Sequence, residues 1–307
     1  MKRILMTLAA SAALMTSASA ADVGVSMALF DDNFLTVVRQ GIEKAGSEKE
    51  GMKLQFEDAT NDIGKQLNQI QNFIAQGVAG IIVNPVDTDA TPQMTKLAAD
   101  AGIPLVYVNR QPADLDTLPE KVAFVGSDER DSGTLQTQEV CKLLGGKGDI
   151  VVMMGELSNQ AARQRTQDVE DVIAKEPCTG IKILEKQTAN WSRTQATDLM
   201  TNWISAGLKP AAVVANNDEM AIGAIQALKA AGVTDVVVSG IDATQDGLAA
   251  MKAGDLKVTV FQNAAGQGAG AVDTIDKLIK GEKAEKVNNV PFELVTPETM
   301  AKYEAKN

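Results

Sequence analysis

Residues 213–242, VVANNDEMAIGAIQALKAAGVTDVVVSGID, contain the pattern that decides the fold. An apolar strand ends in polar residues, an amphipathic helix and an Ala-Gly turn follow, and a second apolar strand ends in another polar residue. Residues 81–110, IIVNPVDTDATPQMTKLAADAGIPLVYVNR, have the same order of elements. Strands that alternate with helices are typical of an α/β, doubly wound fold with a parallel sheet, and here the unit occurs in both halves of the chain.

Polar residues follow the strands at matching positions in the two halves. Asn84 and Asn109 are 25 residues apart, and so are Asn217 and Asp242. A polar residue at a strand end can cap the next helix, but open α/β sheets also bind ligands at the carboxyl ends of their strands. We interpret the repeated pairs as two walls of one cleft.

Val- and Ile-rich runs predict ten strands, most of them continuously apolar, as expected when helices cover both faces of a parallel sheet. The predicted strands are 23–28, 53–57, 79–83, 104–108, 122–126, 149–154, 181–185, 211–215, 234–239 and 257–261. Amphipathic helices are predicted between them, for example at 34–50 and 64–76. No linker rich in Gly, Pro or Ser separates the halves, so we expect structured segments to cross between them, which suits a hinge.

The first twenty residues have the layout of a secretory signal peptide. Lys2 and Arg3 precede an apolar run, and Ala18-Ser19-Ala20 provides an Ala-x-Ala cleavage site. We therefore expect cleavage after Ala20, export and a mature chain of 287 residues, long enough for two domains. No later run reaches the roughly 18 apolar residues of a membrane-spanning helix.

Composition disfavours several classes of function. Residues 21–307 carry 27 basic and 40 acidic side chains, a formal charge of −13, so a nucleic-acid partner is not expected. The chain has no histidine, which excludes His-based triads and imidazole metal sites. We expect no metal and no catalytic residue, although a glycosidase that uses two carboxylates, Asp32 and Asp242, stays open as a secreted enzyme.

Two glycine-containing segments resemble nucleotide loops but are interpreted otherwise. Residues 145–150, GGKGDI, follow a helix instead of opening one, so Gly145 and Gly146 are expected at a helix C-terminus. Residues 263–272, NAAGQGAGAV, follow a strand, but no acidic strand end suited to a ribose comes about 20 residues later. We expect these small residues to permit close helix packing, and we expect no cofactor.

The two cysteines, Cys141 and Cys178, lie in a chain predicted to enter an oxidising compartment. A disulfide is the natural interpretation. The alternative is a pair of buried free thiols that behave as small apolar residues.

Some polar and aromatic side chains have two interpretations. Asp31 and Asp32 precede a predicted helix and can cap it, or they can face a ligand. Phe34 can belong to the core, and so can Trp191, although the polar segment TANWSRTQ around it suits a ligand-stacking platform. Arg110 and Arg165 are predicted to donate to ligand hydroxyl groups.

Arg163 lies two positions before Arg165 and is its competitor for this role. We expect Arg163 to be a surface residue.

Four motifs in order resemble one family over essentially the whole mature chain. VNPVDTDA (83–90), NRQ (109–111), NNDEMAIGAI (216–225) and GIDATQDG (240–247) resemble the type I periplasmic sugar-binding proteins of ABC transporters, with ribose-binding protein as prototype. Repressors share this fold, but here a signal peptide stands in place of a helix-turn-helix.

The resemblance implies ligand contacts, lobes and a hinge. Asn217 should face the ligand, whereas Asp218 belongs to the helix start. The implied contact residues are Asp32, Phe34, Asn84, Asn109, Arg110, Arg165, Trp191, Asn217, Asp242 and Gln262. Three hinge crossings are implied near Ser127–Asp128, Gln262–Asn263 and Pro291–Phe292. One lobe would comprise 21–126 with 263–290, and the other 127–262 with 291–307.

Departures from the ribose-binding pattern point to another ligand. Asn109 stands where the pattern has Asp, Asp32 where it has an amide, and Leu35 where it has a second aromatic. The chain is therefore more similar to the inositol-binding branch and to the proposed rhizopine-binding proteins of rhizobia. Rhizopines are amino-inositols, whose ammonium group could pair with Asp31 or Asp32.

The resemblance thus implies a periplasmic solute-binding protein, expected as a monomer, that closes around a cyclitol or a related monosaccharide and delivers it to a membrane permease. Ribose or another aldose is the alternative ligand. A chemoreceptor is an alternative partner.

Overall fold

The computed structural model describes residues 21–306, so the predicted signal peptide lies outside the described residues. The first series of elements is β1 (Ala21–Met27), α1 (Asn33–Ser47), β2 (Met52–Asp58), α2 (Ile63–Gln76), β3 (Gly80–Val83), α3 (Thr91–Ala101), β4 (Leu105–Asn109) and β5 (Val122–Gly126). The second series is α4 (Glu129–Leu143), β6 (Lys147–Met154), α5 (Gln160–Ile173), β7 (Gly180–Thr188), α6 (Arg193–Ser205), β8 (Ala212–Ala215), α7 (Asp218–Ala230), β9 (Val237–Ser239), α8 (Gln245–Lys252) and β10 (Thr259–Phe261). The chain ends with α9 (Ala264–Ile279), β11 (Val287–Asn289) and β12 (Glu293–Val295).

The two series form separate sheets with the same strand order. The first sheet has the order β11-β5-β4-β3-β1-β2, with parallel pairing throughout. The second has the order β7-β6-β8-β9, also parallel, and single bridges lead on to β10, which pairs with β12 antiparallel. The repeat detected in the sequence is therefore a repeat of topology, and the α/β fold with parallel sheets is confirmed.

Each of the ten predicted strands overlaps one of the strands β1 to β10. Residues 234–236 were wrongly predicted as strand, because Thr234 and Asp235 are exposed and β9 begins only at Val237. Strands β11 and β12 were missed because each has only three residues and no buried apolar run.

Helix α9 lies on the first sheet although it follows the second series in the chain. It packs against α1 and on β3, β4 and β5. A Cβ atom on Gly268 would lie 2.5 Å from the carbonyl oxygen of Val38, so only glycine permits this approach of the helices. The small residues of 263–272 thus permit close helix packing, as predicted.

Three short connectors carry the chain between the sheets: 127–128 between β5 and α4, 262–263 between β10 and α9, and 290–292 between β11 and β12. They coincide with the predicted crossings. None of the helices within residues 21–306 is both long enough and apolar enough to cross a membrane.

A disulfide joins Cys141 of α4 to Cys178, which lies just before β7, as predicted. Gly145 and Gly146 follow the C-terminus of α4 and have positive φ angles of 64° and 80°, also as predicted.

Candidate functional site

A cavity lies between the carboxyl ends of the strands of the two sheets. Its walls come from both series of elements, and nine of the ten predicted contact residues line it. The first series contributes Asp32, Phe34, Leu35, Asn109 and Arg110, and the second contributes Glu129, Asn159, Ala161, Arg165, Trp191, Asn217 and Asp242. Gln262 of the second connector completes the lining, and the cavity has a volume of about 50 Å³.

Asn84 is the tenth predicted contact residue, and the structure places it outside the lining. It is fully buried behind Asn109, and its amide nitrogen donates to Asn109 Oδ1 at 3.2 Å and to the Val108 carbonyl at 3.1 Å. Asn109 has a positive φ of 67°, a conformation that needs local support. The geometry therefore makes Asn84 a residue that orients Asn109, in place of the direct contact that we expected.

Asp32 both caps a helix and lines the cavity. Its Oδ1 accepts a hydrogen bond from the Leu35 N–H at 2.7 Å, which makes it the N-cap of α1. Burial raises the pKa of the Asp32 carboxyl, and the nearby charge of Arg110 opposes that rise. The capping and ligand interpretations of this residue are therefore compatible, because capping uses only one of its oxygens.

Asn217 has the same double role at the start of α7. Its Oδ1 accepts from the Met220 N–H at 3.0 Å, while its amide nitrogen lies 3.5 Å from the Trp191 carbonyl, beside the cavity.

Asp218, the first residue of α7, does more than begin the helix. Its fully buried carboxylate accepts from Thr259 Oγ1 at 2.7 Å and from the Thr244 N–H at 2.9 Å. These bonds fix the segment that holds Asp242, which has a φ of 123°. Burial raises the pKa of Asp218 to about 7, and the hydrogen bonds from both threonines oppose the rise. The expectation that Asp218 serves only the helix start was incomplete, since its partners are distant in sequence.

Arg165 lines the cavity, but most of its donors are used within the protein. Nε donates to Glu129 Oε2 at 2.7 Å, and Nη2 lies 3.2 Å from Glu129 Oε1 and 3.3 Å from Gln262 Oε1. Nη1 donates to the Asn216 carbonyl at 2.7 Å and lies 3.9 Å from Asp242 Oδ1. The predicted donation from Arg165 to a ligand stays a prediction, and the structure adds that Arg165 also holds Glu129 and the Asn216 carbonyl.

Arg110 retains more donor capacity. Its Nη1 donates to the Pro85 carbonyl at 2.9 Å, whereas Nε and Nη2 have no hydrogen-bond acceptor among the described residues. The side chain is 8% exposed and lines the cavity, so these donors are available to a ligand. Arg163 lies at the surface as predicted, where it pairs with Asp89 at 2.9 Å.

Trp191 provides a flat apolar face. It has a positive φ of 63°, lines the cavity and packs over Gly155, where an added Cβ would lie 2.1 Å from the indole ring. The guanidinium carbon of Arg165 lies 5.7 Å from the indole centroid, within the range of a cation–π contact. Phe34 supplies a second aromatic surface to the lining.

Sequence reasoning missed Glu129, Asn159 and Ala161 as lining residues. Glu129 looked like an ordinary acidic residue in the first turn of a helix, a position that acids favour. Its place beside a predicted hinge crossing was the only signal.

The charge of the cavity is unbalanced. The carboxylates of Asp32, Glu129 and Asp242 face the guanidinium groups of Arg110 and Arg165. The pKa of Asp242 is raised well above its usual range, first by burial and then by neighbouring carboxylates, while Arg165 opposes the rise. The hydrogen-bond donors and acceptors of the lining, together with the apolar faces of Trp191 and Phe34, suit a ligand that is a polyhydroxylated ring. Among residues 21–306, no group of three or more His, Cys, Asp or Glu side chains is placed to hold a metal ion.

Comparison with known proteins identifies the family. The family model described as "Periplasmic binding protein domain" matches residues 23–283. The chain belongs to the periplasmic binding proteins. Its topology and its cleft between two sheets are those of the type I sugar-binding members.

Named relatives in this family bind cyclitols and sugars. The chain is 62% identical to a proposed rhizopine-binding protein of Rhizobium meliloti, with 100% of both chains covered. It is 42% identical to an ABC transporter solute-binding protein of Bacillus halodurans C-125 solved with bound myo-inositol, with a TM-score of 0.90 and coverage of 95% of this chain and 100% of that one. It is 32% identical to the ribose import binding protein of Escherichia coli K12, over 94% of this chain and 95% of the relative.

Proposed function

We propose that this protein is the periplasmic solute-binding component of an ABC transporter and that its ligand is a cyclitol, either inositol or an amino-inositol. The family supports solute binding, and the similarity to the proposed rhizopine-binding protein and to the inositol-bound structure supports the ligand class. A membrane permease is the proposed partner, and cleavage after Ala20 the proposed route to the periplasm.

The observation that carries the ligand proposal is the position of Asp32. Its carboxylate lies in the cavity wall, whereas the neutral Asn109, at the end of β4 in the same sheet, supplies an amide to the lining. One oxygen of Asp32 serves the helix cap, so the other can accept from a ligand hydroxyl or ammonium group. An ammonium group would form a hydrogen bond there in which both partners are charged, whereas a neutral sugar hydroxyl can donate to the carboxylate but cannot form an ion pair with it.

We infer that binding closes two lobes about the three connectors. One lobe would comprise 21–126 with 263–290, and the other 127–262 with 291–307. Because the lining comes from both series of elements, a ligand in the cavity touches both lobes only when they are closed. These closed-state contacts supply the difference in affinity that shifts the population towards closure.

Calorimetry on wild type and Asp32→Asn with myo-inositol, an amino-inositol and ribose tests the ligand. Asn is also a good N-cap, so α1 should stay intact. The variant should lose about 1.5–3 kcal/mol of affinity for the amino-inositol, the range for hydrogen bonds to charged groups, and much less for myo-inositol. Equal losses would contradict the amine contact. Tight ribose binding without an inositol response would contradict the cyclitol proposal and favour the aldose alternative.

A further inference from the structure

Glu129 is an acidic residue in the first turn of α4, yet it is buried, whereas such residues are usually exposed to solvent. It is 2% exposed, lines the cavity and forms two hydrogen bonds with Arg165, at 2.7 and 3.2 Å. Ser132 Oγ donates to Glu129 Oε2 at 3.0 Å, the same oxygen that accepts from Arg165 Nε, so the carboxylate is fixed by two residues. Its neighbour Asp131, also in the first turn of α4, is exposed.

The ion pair between Glu129 and Arg165 changes the net charge of the cavity that surrounds a ligand. Glu129 compensates the charge of Arg165 at 2.7 Å in a buried site, where electrostatic interactions are stronger than in water. Arg110 then remains as the second cation of the lining, beside Asp32, while Asp242 lies 3.9 Å from Arg165, whose charge Glu129 already compensates. Excess charge in a desolvated cavity is unfavourable unless a group of opposite sign accompanies it. A ligand that brings one positive charge would supply that group.

We propose that Glu129 is a specificity-determining residue: by neutralising Arg165 it leaves the cavity with one excess carboxylate, which selects a ring with an ammonium group over a neutral ring. This inference rests on the proposed cyclitol function and extends it, because it assigns the selectivity to a residue that the ligand amine need not touch.

A purely structural role makes a different prediction. If Glu129 only held Arg165 in place, its loss would weaken the binding of charged and neutral rings alike. If Glu129 instead determines the net charge of the cavity, its loss would weaken the binding of the positively charged ring more than the binding of the neutral ring. The ratio of the two affinities therefore separates the two roles.

The experiment measures dissociation constants for myo-inositol and for an amino-inositol by calorimetry at neutral pH. We expect wild type to prefer the amino-inositol, and Glu129→Gln to reduce that preference by about tenfold, because one buried negative charge is removed near the ligand. Asp131→Asn is the matched control, since it removes one carboxylate from the same helical turn outside the cavity, and it should leave the preference unchanged.

A double variant covers the case in which Glu129→Gln fails to fold because Arg165 is left unpaired. Glu129→Gln with Arg165→Gln removes both charges of the pair and so keeps the excess carboxylate. Both ligands should bind it more weakly, but the preference for the amine should persist. A double variant without that preference would overturn the inference.

Other outcomes separate this inference from the proposed function. If Glu129→Gln weakens both ligands by the same factor, Glu129 is only a positioning residue and the inference is wrong. If wild type binds both cyclitols equally, the cyclitol proposal stands and the inference fails. If wild type binds neither cyclitol, the proposed function itself fails.

Discussion

Trp191 and Trp203 lie twelve positions apart but in different environments, so they form a matched pair for mutation. Trp191 lines the cavity, whereas Trp203 is 4% exposed and belongs to the core of the second sheet. We predict that Trp191→Ala weakens ligand binding by about 1–3 kcal/mol, by analogy with the stacking of bases on aromatic side chains. Trp203→Ala should instead cost about 3–5 kcal/mol of stability, the usual range for a buried aromatic.

Titration calorimetry and thermal melts on both variants test this contrast. A Trp191→Ala protein that keeps its affinity but melts much earlier than wild type would assign Trp191 to the core.

At the same scale, the sequence predicted which side chains reach the cavity better than what they do there. Phe34, Arg110 and Asp242 follow strands, and strand ends converge at one edge of a parallel sheet. The actual hydrogen-bond partners depend on contacts distant in sequence. Asn84 was misplaced because it donates to Asn109, 25 residues away, and Glu129 was missed because its partner is 36 residues away.

At the scale of elements, the disulfide joins α4 to the segment before β7 and closes a loop with a sequence separation of 37 residues. Constraining the unfolded chain over such a loop stabilises the fold by about 3–4 kcal/mol in the chain-entropy model. We predict that the double substitution Cys141→Ala and Cys178→Ala lowers the free energy of unfolding by this amount and leaves ligand affinity unchanged, since neither cysteine lines the cavity.

Urea denaturation of both proteins, with and without reductant, measures the effect. Reductant should destabilise wild type and leave the double variant unchanged. Equal unfolding midpoints for the oxidised wild type and the variant would contradict the prediction.

The packing of α4 against α5 buries a carboxylate at a cost. Asp168 is 3% exposed, its Oδ1 accepts from Gln164 at 2.7 Å, and its Oδ2 has no hydrogen-bond donor among the described residues. Burial raises the pKa of Asp168 to about 7. Because the folded-state pKa is above the ordinary value, this group's contribution to stability is present at acidic pH and is lost as the pH rises through about 7.

We therefore predict that Asp168→Asn raises the melting temperature relative to wild type at pH 8 but changes it little at pH 4. The exposed Asp171 on the same helix provides the comparison: its charge contributes to the raised pKa of Asp168, so Asp171→Asn should show a dependence on pH that is much smaller than that of Asp168→Asn. A constant difference between Asp168→Asn and wild type from pH 4 to pH 8 would show that ionisation of Asp168 is not involved.

At the scale of the whole molecule, the sequence predicted the duplicated topology because both halves contain a strand that ends in polar residues, then a helix, then another strand with a polar end. The three connectors were predicted only through the family resemblance. Their short lengths leave the two sheets joined by few residues, which is the arrangement that a hinge requires.

Contacts across the cleft outside the cavity provide a way to test closure. The Thr88 hydroxyl, between β3 and α3, donates to the Ser158 carbonyl at 3.0 Å and accepts from the Gln160 N–H at 3.0 Å, and the Thr88 N–H also donates to the Ser158 carbonyl at 3.1 Å. On the other side, Asn33 donates to Glu219 at 2.8 Å. If the lobes open about the connectors, these bonds break, so they favour the closed form without touching the ligand.

We predict that Thr88→Val lowers the affinity for every ligand by the same factor, about three- to tenfold, which corresponds to a hydrogen bond of about 0.5–1.5 kcal/mol. The reason is that apparent affinity scales with the population of the binding-competent form, whatever the ligand.

Thr95→Val is the control, because the Thr95 hydroxyl lies 2.9 Å from the Tyr107 hydroxyl within the first lobe, and it should change stability without changing affinity. Calorimetry with myo-inositol and an amino-inositol measures the affinities, and small-angle scattering of the ligand-free proteins should show Thr88→Val more open than wild type. A change in the preference between the two ligands would mean that Thr88 acts on the cavity, and an unchanged affinity would mean that closure does not depend on these bonds.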